Sequence, residues 1–156
     1  NCAGSGKKYS QLYMNSRSIT NNLRRIDSAK RQGFLVEALI GAYHMNVRMM
    51  QYILKRSETR ETGQEIKIKS LLKSFLKAQK EDPSLKSVIG TQHLKSVKIW
   101  LEKSDNYLKK LRVQKPSNTK KLLDETTRIS GILSLSARKI TANKRPAQQD
   151  RGELPK

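Results

Sequence analysis

The chain has 156 residues and a net charge of +20 at pH 7, from 33 lysines and arginines against 13 aspartates and glutamates. This length predicts a single domain with one core, and the excess of positive charge predicts a polyanionic partner, nucleic acid first. A single cysteine, Cys2, excludes an intramolecular disulfide and a zinc site built from cysteines. With no secretory signal pattern either, we expect an intracellular protein of the cytoplasm or an organelle matrix.

The first 31 residues predict a flexible leader over residues 1–6 and a helix over residues 7–31. Apolar side chains recur there at helical spacing, among them Ile19 and Ile26. The opposite side of this helix carries Arg17, Arg24 and Arg31, seven residues apart, and Arg25 widens the basic stripe. Gly33 is expected to end the helix.

Residues 34–55 predict the central helix of a bundle, because apolar side chains cover most of its circumference. Its polar residues, including Glu37, His44 and Arg48, recur every three or four positions along one stripe. Charges within this stretch argue against a membrane span, since each costs roughly 2.5–3.5 kcal/mol at the bilayer centre. We expect the stripe to form a polar seam buried between helices; the alternative is a catalytic acid/base group.

Further helices follow after a polar turn. Thr62 and Glu65 resemble a capping box for a helix ending near residue 80, whose outward side carries Lys69, Lys73, Lys77 and Lys80. Asp82 and Pro83 are typical of an N-cap and first helical position, and they predict a short helix that ends at Gly90.

The remaining chain predicts two helices and a tail. Thr91 is expected to cap a helix with an outward basic stripe of Lys95, Lys98, Lys109 and Arg112, with Lys110 nearby. A turn over residues 113–118 then leads to a last helix over residues 119–140. Residues 141–156 lack apolar periodicity and predict a disordered basic tail.

These segments predict an all-α fold: an up-and-down bundle of four long helices plus one short helix, occupying residues 7–140. The short connections favour antiparallel packing of consecutive helices. No stretch alternates long enough for a strand, and no cofactor or metal site is predicted.

The central helix, with a glycine, an aromatic residue, Glu37-Ala38 and an apolar run ending at Gln51-Tyr52-Ile53-Leu54-Lys55, resembles the second helix of HEPN-type bundles. The helix order over residues 7–140 is also similar to theirs. This resemblance implies a small α-helical domain of the kind found in RNA cleavage or defence systems. Catalytic members carry an arginine four to six residues before a histidine, and neither His44 nor His93 has one. A binding role is what the resemblance implies for this chain.

The basic stripes predict phosphate-backbone contacts with nucleic acid, RNA in preference to DNA, within a larger nucleoprotein assembly or a homo-oligomer. Two alternatives stay open: an adaptor that docks an acidic protein, and a HEPN-like ribonuclease using His44 with Glu37 or Arg48. No membrane partner is expected. The predicted nucleic-acid-binding residues are Arg17, Arg24, Arg25, Arg31, Lys69, Lys73, Lys77, Lys80, Lys95, Lys98, Lys109, Lys110 and Arg112.

Overall fold

The computed structural model describes residues 16–56 and 68–143, and within these two stretches the chain is helical with short turns and no strand. The all-α prediction is therefore confirmed. Several predicted features lie outside the described residues: the leader, residues 7–15 of the first helix, the capping box of Thr62 and Glu65, and residues 144–156 of the tail.

Six α-helices are described. They are α1 (Ser16–Arg31), α2 (Leu35–Arg56), α3 (Ile68–Glu81), α4 (Pro83–Val88), α5 (Thr91–Lys109) and α6 (Pro116–Asn143). A 3-10 turn, Leu111–Val113, joins α5 to α6. Only α4, with 6 residues, is short. The other five helices correspond to the five long segments predicted in chain order, so the predicted total of four long helices is one too few.

Two helix boundaries form as the sequence predicts. Gly33 adopts a positive φ of 83° between α1 and α2, a conformation that favours glycine, and the Phe34 amide donates back to the Ala29 carbonyl at 2.9 Å. At the start of α4, Asp82 Oδ1 accepts hydrogen bonds from the amides of Ser84 and Leu85, and Pro83 occupies the first helical position.

Two other predicted boundaries are wrong. The N-cap of α5 is Gly90, which makes no side-chain cap bond, and Thr91 is already helical. The last helix begins at Pro116 rather than at residue 119, and it continues to Asn143, beyond residue 140. Proline at a helix start loses no backbone hydrogen bond, because the first amides of a helix have no intrahelical acceptor.

The centre of the fold is a parallel pair, α2 and α6. Asn46 of α2 contacts Thr126 and Ser130 of α6, and Tyr52 hydrogen-bonds to Thr141 at 2.8 Å. Later residues of α2 contact later residues of α6, so the two helices run in the same direction. Alternation of all six described helices would also make the second and the sixth parallel, so this pair does not contradict an up-and-down arrangement, which stays a prediction.

Helices α1 and α5 flank the central pair. A side chain at Gly41 of α2 would meet Ile26 of α1 at 3.5 Å, on the antiparallel hairpin that α1 and α2 form around Gly33. On α5, the Trp100 ring lies 5.8 Å from the Tyr43 ring of α2, and its Nε1 donates to Thr126 Oγ1 of α6 at 2.9 Å. Because Tyr107 of α5 also hydrogen-bonds to Thr119 of α6, α5 runs antiparallel to α6.

Candidate nucleic-acid interface

The basic residues predicted on α1 are all exposed. Arg17, Arg24 and Arg31, which we call the α1 row, lie at seven-residue intervals, so each is about 10 Å along the helix from the next. Arg31 forms an ion pair with Asp27 at 2.7 Å, whereas Arg17 and Arg24 have no ion pair among the described residues. Two of the three cations of the row, Arg17 and Arg24, are therefore exposed without an ion pair in the described part of the chain.

Polar side chains accompany the α1 row. Asn21 and Ser28 are exposed and lie between the arginines in the sequence, on the same side of α1. Arginine can bind phosphate with two parallel hydrogen bonds, and short amide or hydroxyl groups suit ribose hydroxyls.

The predicted stripe on α3 is also exposed where it is described. Lys73, Lys77 and Lys80 face solvent, and Lys77 lies 3.8 Å from Glu81, the longest of the ion pairs in the described part of the chain. Lys69 belongs to α3, but its side chain falls outside what the structure describes.

The predicted stripe on α5 is interrupted by acids. Lys95, Lys98 and Lys109, which we call the α5 row, are exposed, but Lys109 pairs with Asp105 at 2.5 Å. Glu102 is exposed on the same side of the helix. The local field of the α5 row is therefore weaker than that of the α1 row.

The α5–α6 junction concentrates charge that the sequence analysis only partly identified. Lys110 and Arg112 were predicted, whereas Lys115, Lys120 and Lys121 were not, and all five are exposed without an ion pair among the described residues. Residues 110–121 contain no acidic residue. A count of charge in sequence windows, rather than along helical stripes, would have found this cluster.

The exposed side of α6 adds further cations that the sequence analysis missed. The seven-residue spacing of Lys121 and Arg128 places both on one face of α6, which the predicted basic stripes do not include. The additional exposed basic residues on α6 are Arg128, Arg138 and Lys139.

Ion pairs between helices link α6 to α1 and to α5 at this end of the bundle. Lys30 of α1 pairs with Asp124 at 2.6 Å, and Lys103 of α5 pairs with Glu125 at 3.2 Å. The C-terminal end of α1, the α5–α6 junction and the start of α6 therefore share one end of the molecule. The pairs themselves are partly exposed, so they contribute little to stability.

The structure does not bring the α1 row and the α5 row together. Gly41, which faces α1, and Tyr43, which faces α5, are two residues apart on α2, so they point in directions roughly 200° apart around the helix. The two rows consequently lie on opposite sides of the central pair.

The polar seam predicted on α2 is wrong. Glu37, His44 and Arg48 share one stripe, as expected, but all three are exposed rather than buried between helices. Burial of polar side chains costs the free energy of their hydration, so the polar stripe of a mostly apolar helix remains exposed to solvent. The buried polar residue of α2 is instead Asn46, which is 0 % exposed.

No arrangement for metal binding occurs in residues 16–56 and 68–143: the described chain has no group of three or more histidine, cysteine, aspartate or glutamate residues placed to hold an ion. Burial raises the pKa of Tyr43, and the nearby Asp105 carboxylate raises it further. None of the described helices has the length and apolar character that crossing a bilayer requires.

Comparison with known proteins returns no relative. The sequence matches no protein-family model and no curated protein, and the structure matches no solved structure. The HEPN-like resemblance thus stays a prediction.

Proposed function

We propose that this protein binds nucleic acid through its phosphate backbone, RNA in preference to DNA, as an accessory component of a larger nucleoprotein assembly. The observation that carries the proposal is the exposed α1 row, in which Arg17 and Arg24 have no ion pair in the described part of the chain. Cations left unpaired on a rigid helix are arranged to bind an external anion.

The distribution of charge supports contact with the backbone rather than with bases. Exposed cations lie on α1, α3, α5 and α6, and no single helix concentrates them as a recognition helix would. The aromatic rings of Tyr43, Trp100 and Tyr107 are buried, so they are unavailable for stacking on bases. We infer weak sequence preference and strong dependence on salt.

Preference for RNA rests on the polar companions of the arginines. Asn21 and Ser28 can contact a ribose 2′-hydroxyl, which DNA lacks. DNA of the same sequence would keep the phosphate contacts and lose these hydrogen bonds.

The test is binding of the purified full chain, freed of co-purifying nucleic acid, to three labelled ligands across a salt series. The ligands are an RNA duplex, a DNA duplex of the same sequence and a single-stranded RNA, and fluorescence anisotropy reports binding. We expect the RNA duplex to bind most tightly, with a log–log slope of roughly −0.9 per phosphate contact if the value for B-DNA applies.

A variant set identifies the surface. Changing Arg17, Arg24 and Arg31 to glutamine should make the slope shallower by roughly two to three. A control that removes three charges from separate elements, Arg48→Gln with Lys86→Gln and Lys103→Gln, should change the slope less. Absence of binding to all three ligands at low salt would refute the proposal and favour an acidic protein as the partner.

A further inference from the structure

Two basic rows of this protein point away from each other. On α1, Ile26 contacts α2, and Arg24 is two residues before it, so Arg24 projects to the opposite side of α1. On α5, Trp100 contacts α2, and Lys98 is two residues before it, so Lys98 likewise projects outward. The α1 row and the α5 row therefore form two outer faces with α2 between them.

The distance between these faces permits two anions to be held at once. Helix α1 packs on α2 and α5 packs mainly on α6, so the central pair separates the axes of α1 and α5 by about two helix spacings of 8–10 Å, or roughly 16–20 Å. The screening length at physiological salt is about 8 Å. Two polyanions on the opposite faces would consequently repel each other only weakly, while each remained in contact with its own row of cations.

Each face suits a rigid ligand. Arg17 and Arg31 are 14 positions apart, which is about 21 Å along α1. A flexible strand would lose conformational freedom on aligning with such a row, whereas a duplex is already rigid. The α5 row has a similar length and an exposed polar companion, Asn106.

We propose that a single copy of this chain bridges two RNA duplexes, one on the α1 row and the other on the α5 row. The proposal rests on the proposed function and adds to it an activity, the joining of two nucleic-acid segments without oligomerisation. Because Glu102 and Asp105 weaken the field of the α5 row, the second duplex binds the α5 row less tightly and leaves it at lower salt.

The experiment is a two-duplex capture assay with the full chain. One RNA duplex is immobilised through biotin, a second carries a dye, and the captured dye is measured as protein is added. Anisotropy with a single duplex measures binding separately, and light scattering gives the mass of the free protein. Both quantities are measured at the same salt concentration.

Three variants separate bridging from binding. The α1 variant changes Arg17, Arg24 and Arg31 to glutamine, and the α5 variant changes Lys95, Lys98 and Lys109 to glutamine. The scattered variant, Arg48→Gln with Lys86→Gln and Lys103→Gln, removes the same charge from three elements. Circular dichroism confirms that each variant keeps the helical content of the parent chain.

We expect a monomeric parent chain to capture the second duplex. Each row variant should still bind one duplex but lose capture, the α1 variant showing the larger loss of affinity, while the scattered variant keeps capture. Binding by the parent chain without capture would overturn bridging and leave the proposed function intact, whereas no binding would overturn both. Capture that survives in both row variants, that is lost equally in the scattered variant, or that occurs only with a dimer would also overturn bridging by one copy.

Discussion

The Ser104 hydroxyl is buried on α5, with 1 % of the residue exposed, and it has no hydrogen-bond partner among the described residues. A buried hydroxyl without a partner loses its hydrogen bonds to water on folding and regains nothing. The helical spacing of Ser104 from Val97 and Trp100 places it on the buried side of α5, but its lack of a partner depends on which atoms of the neighbouring helices face it.

Replacing Ser104 with alanine should stabilise the protein by roughly 1 kcal/mol, because the change removes an unsatisfied polar group and improves helix propensity. Urea unfolding followed by circular dichroism measures the effect. Ser130→Ala is the matched control, since Ser130 is equally buried but donates to Asn46 Oδ1 at 2.7 Å, and its loss should destabilise. Destabilisation by Ser104→Ala would show that its hydroxyl has a partner in solution.

At the scale of helices, the side-chain amide of Asn46 links α2 to α6. Asn46 Nδ2 donates to the Thr126 carbonyl at 3.1 Å, and Asn46 Oδ1 accepts from Ser130 Oγ. Asn46 is flanked in the sequence by the buried apolar residues Met45 and Val47. Since a polar group in such a place must find its partners, Asn46 favours a single register of α2 against α6.

Asn46→Ala should lower the free energy of unfolding by about 1–3 kcal/mol, because it removes two buried hydrogen bonds and leaves the Thr126 carbonyl and the Ser130 hydroxyl with only their 3.0 Å bond to each other outside the helix backbone. Thermal or urea unfolding measures the loss. Arg48→Ala, two residues away on the exposed stripe, should change stability by about 0.5 kcal/mol or less. In the double variant with Ser130→Ala the losses should be less than additive, and strict additivity would contradict the proposed link.

At the scale of the whole molecule, the net charge of +20 opposes the compact state. Five ion pairs occur among the described residues, and each is at least partly exposed, so they offset little of the repulsion. Exposed cations on α1, α3, α5 and α6 surround a core that includes Trp100 and Phe75. The positive field that attracts a polyanion therefore destabilises the folded protein when no polyanion is bound.

The melting temperature should rise when sodium chloride is increased from 0.01 M to 1 M, over which the Debye length falls from about 30 Å to about 3 Å. Differential scanning fluorimetry or calorimetry checks this. Chloride is preferred to sulfate, because sulfate also strengthens apolar burial. A melting temperature that falls with added chloride would indicate that attractive ion pairs outweigh repulsion.

The sequence by itself determined the helices and the outward position of the cations. The predicted central helix, residues 34–55, differs from α2 (Leu35–Arg56) by one residue at each end. The basic residues predicted on α1 are all exposed, because helical periodicity separates the apolar side of a helix from its polar side without reference to any other helix.

Only the tertiary structure decided which helix covers each apolar side. Periodicity alone could not reveal the parallel pairing of α2 with α6, the burial of Asn46 rather than Glu37, His44 and Arg48, or the opposite placement of the α1 row and the α5 row. The physical reason is that local spacing specifies a face, whereas contacts between residues far apart in the chain depend on how helices of given length and shape fill one core.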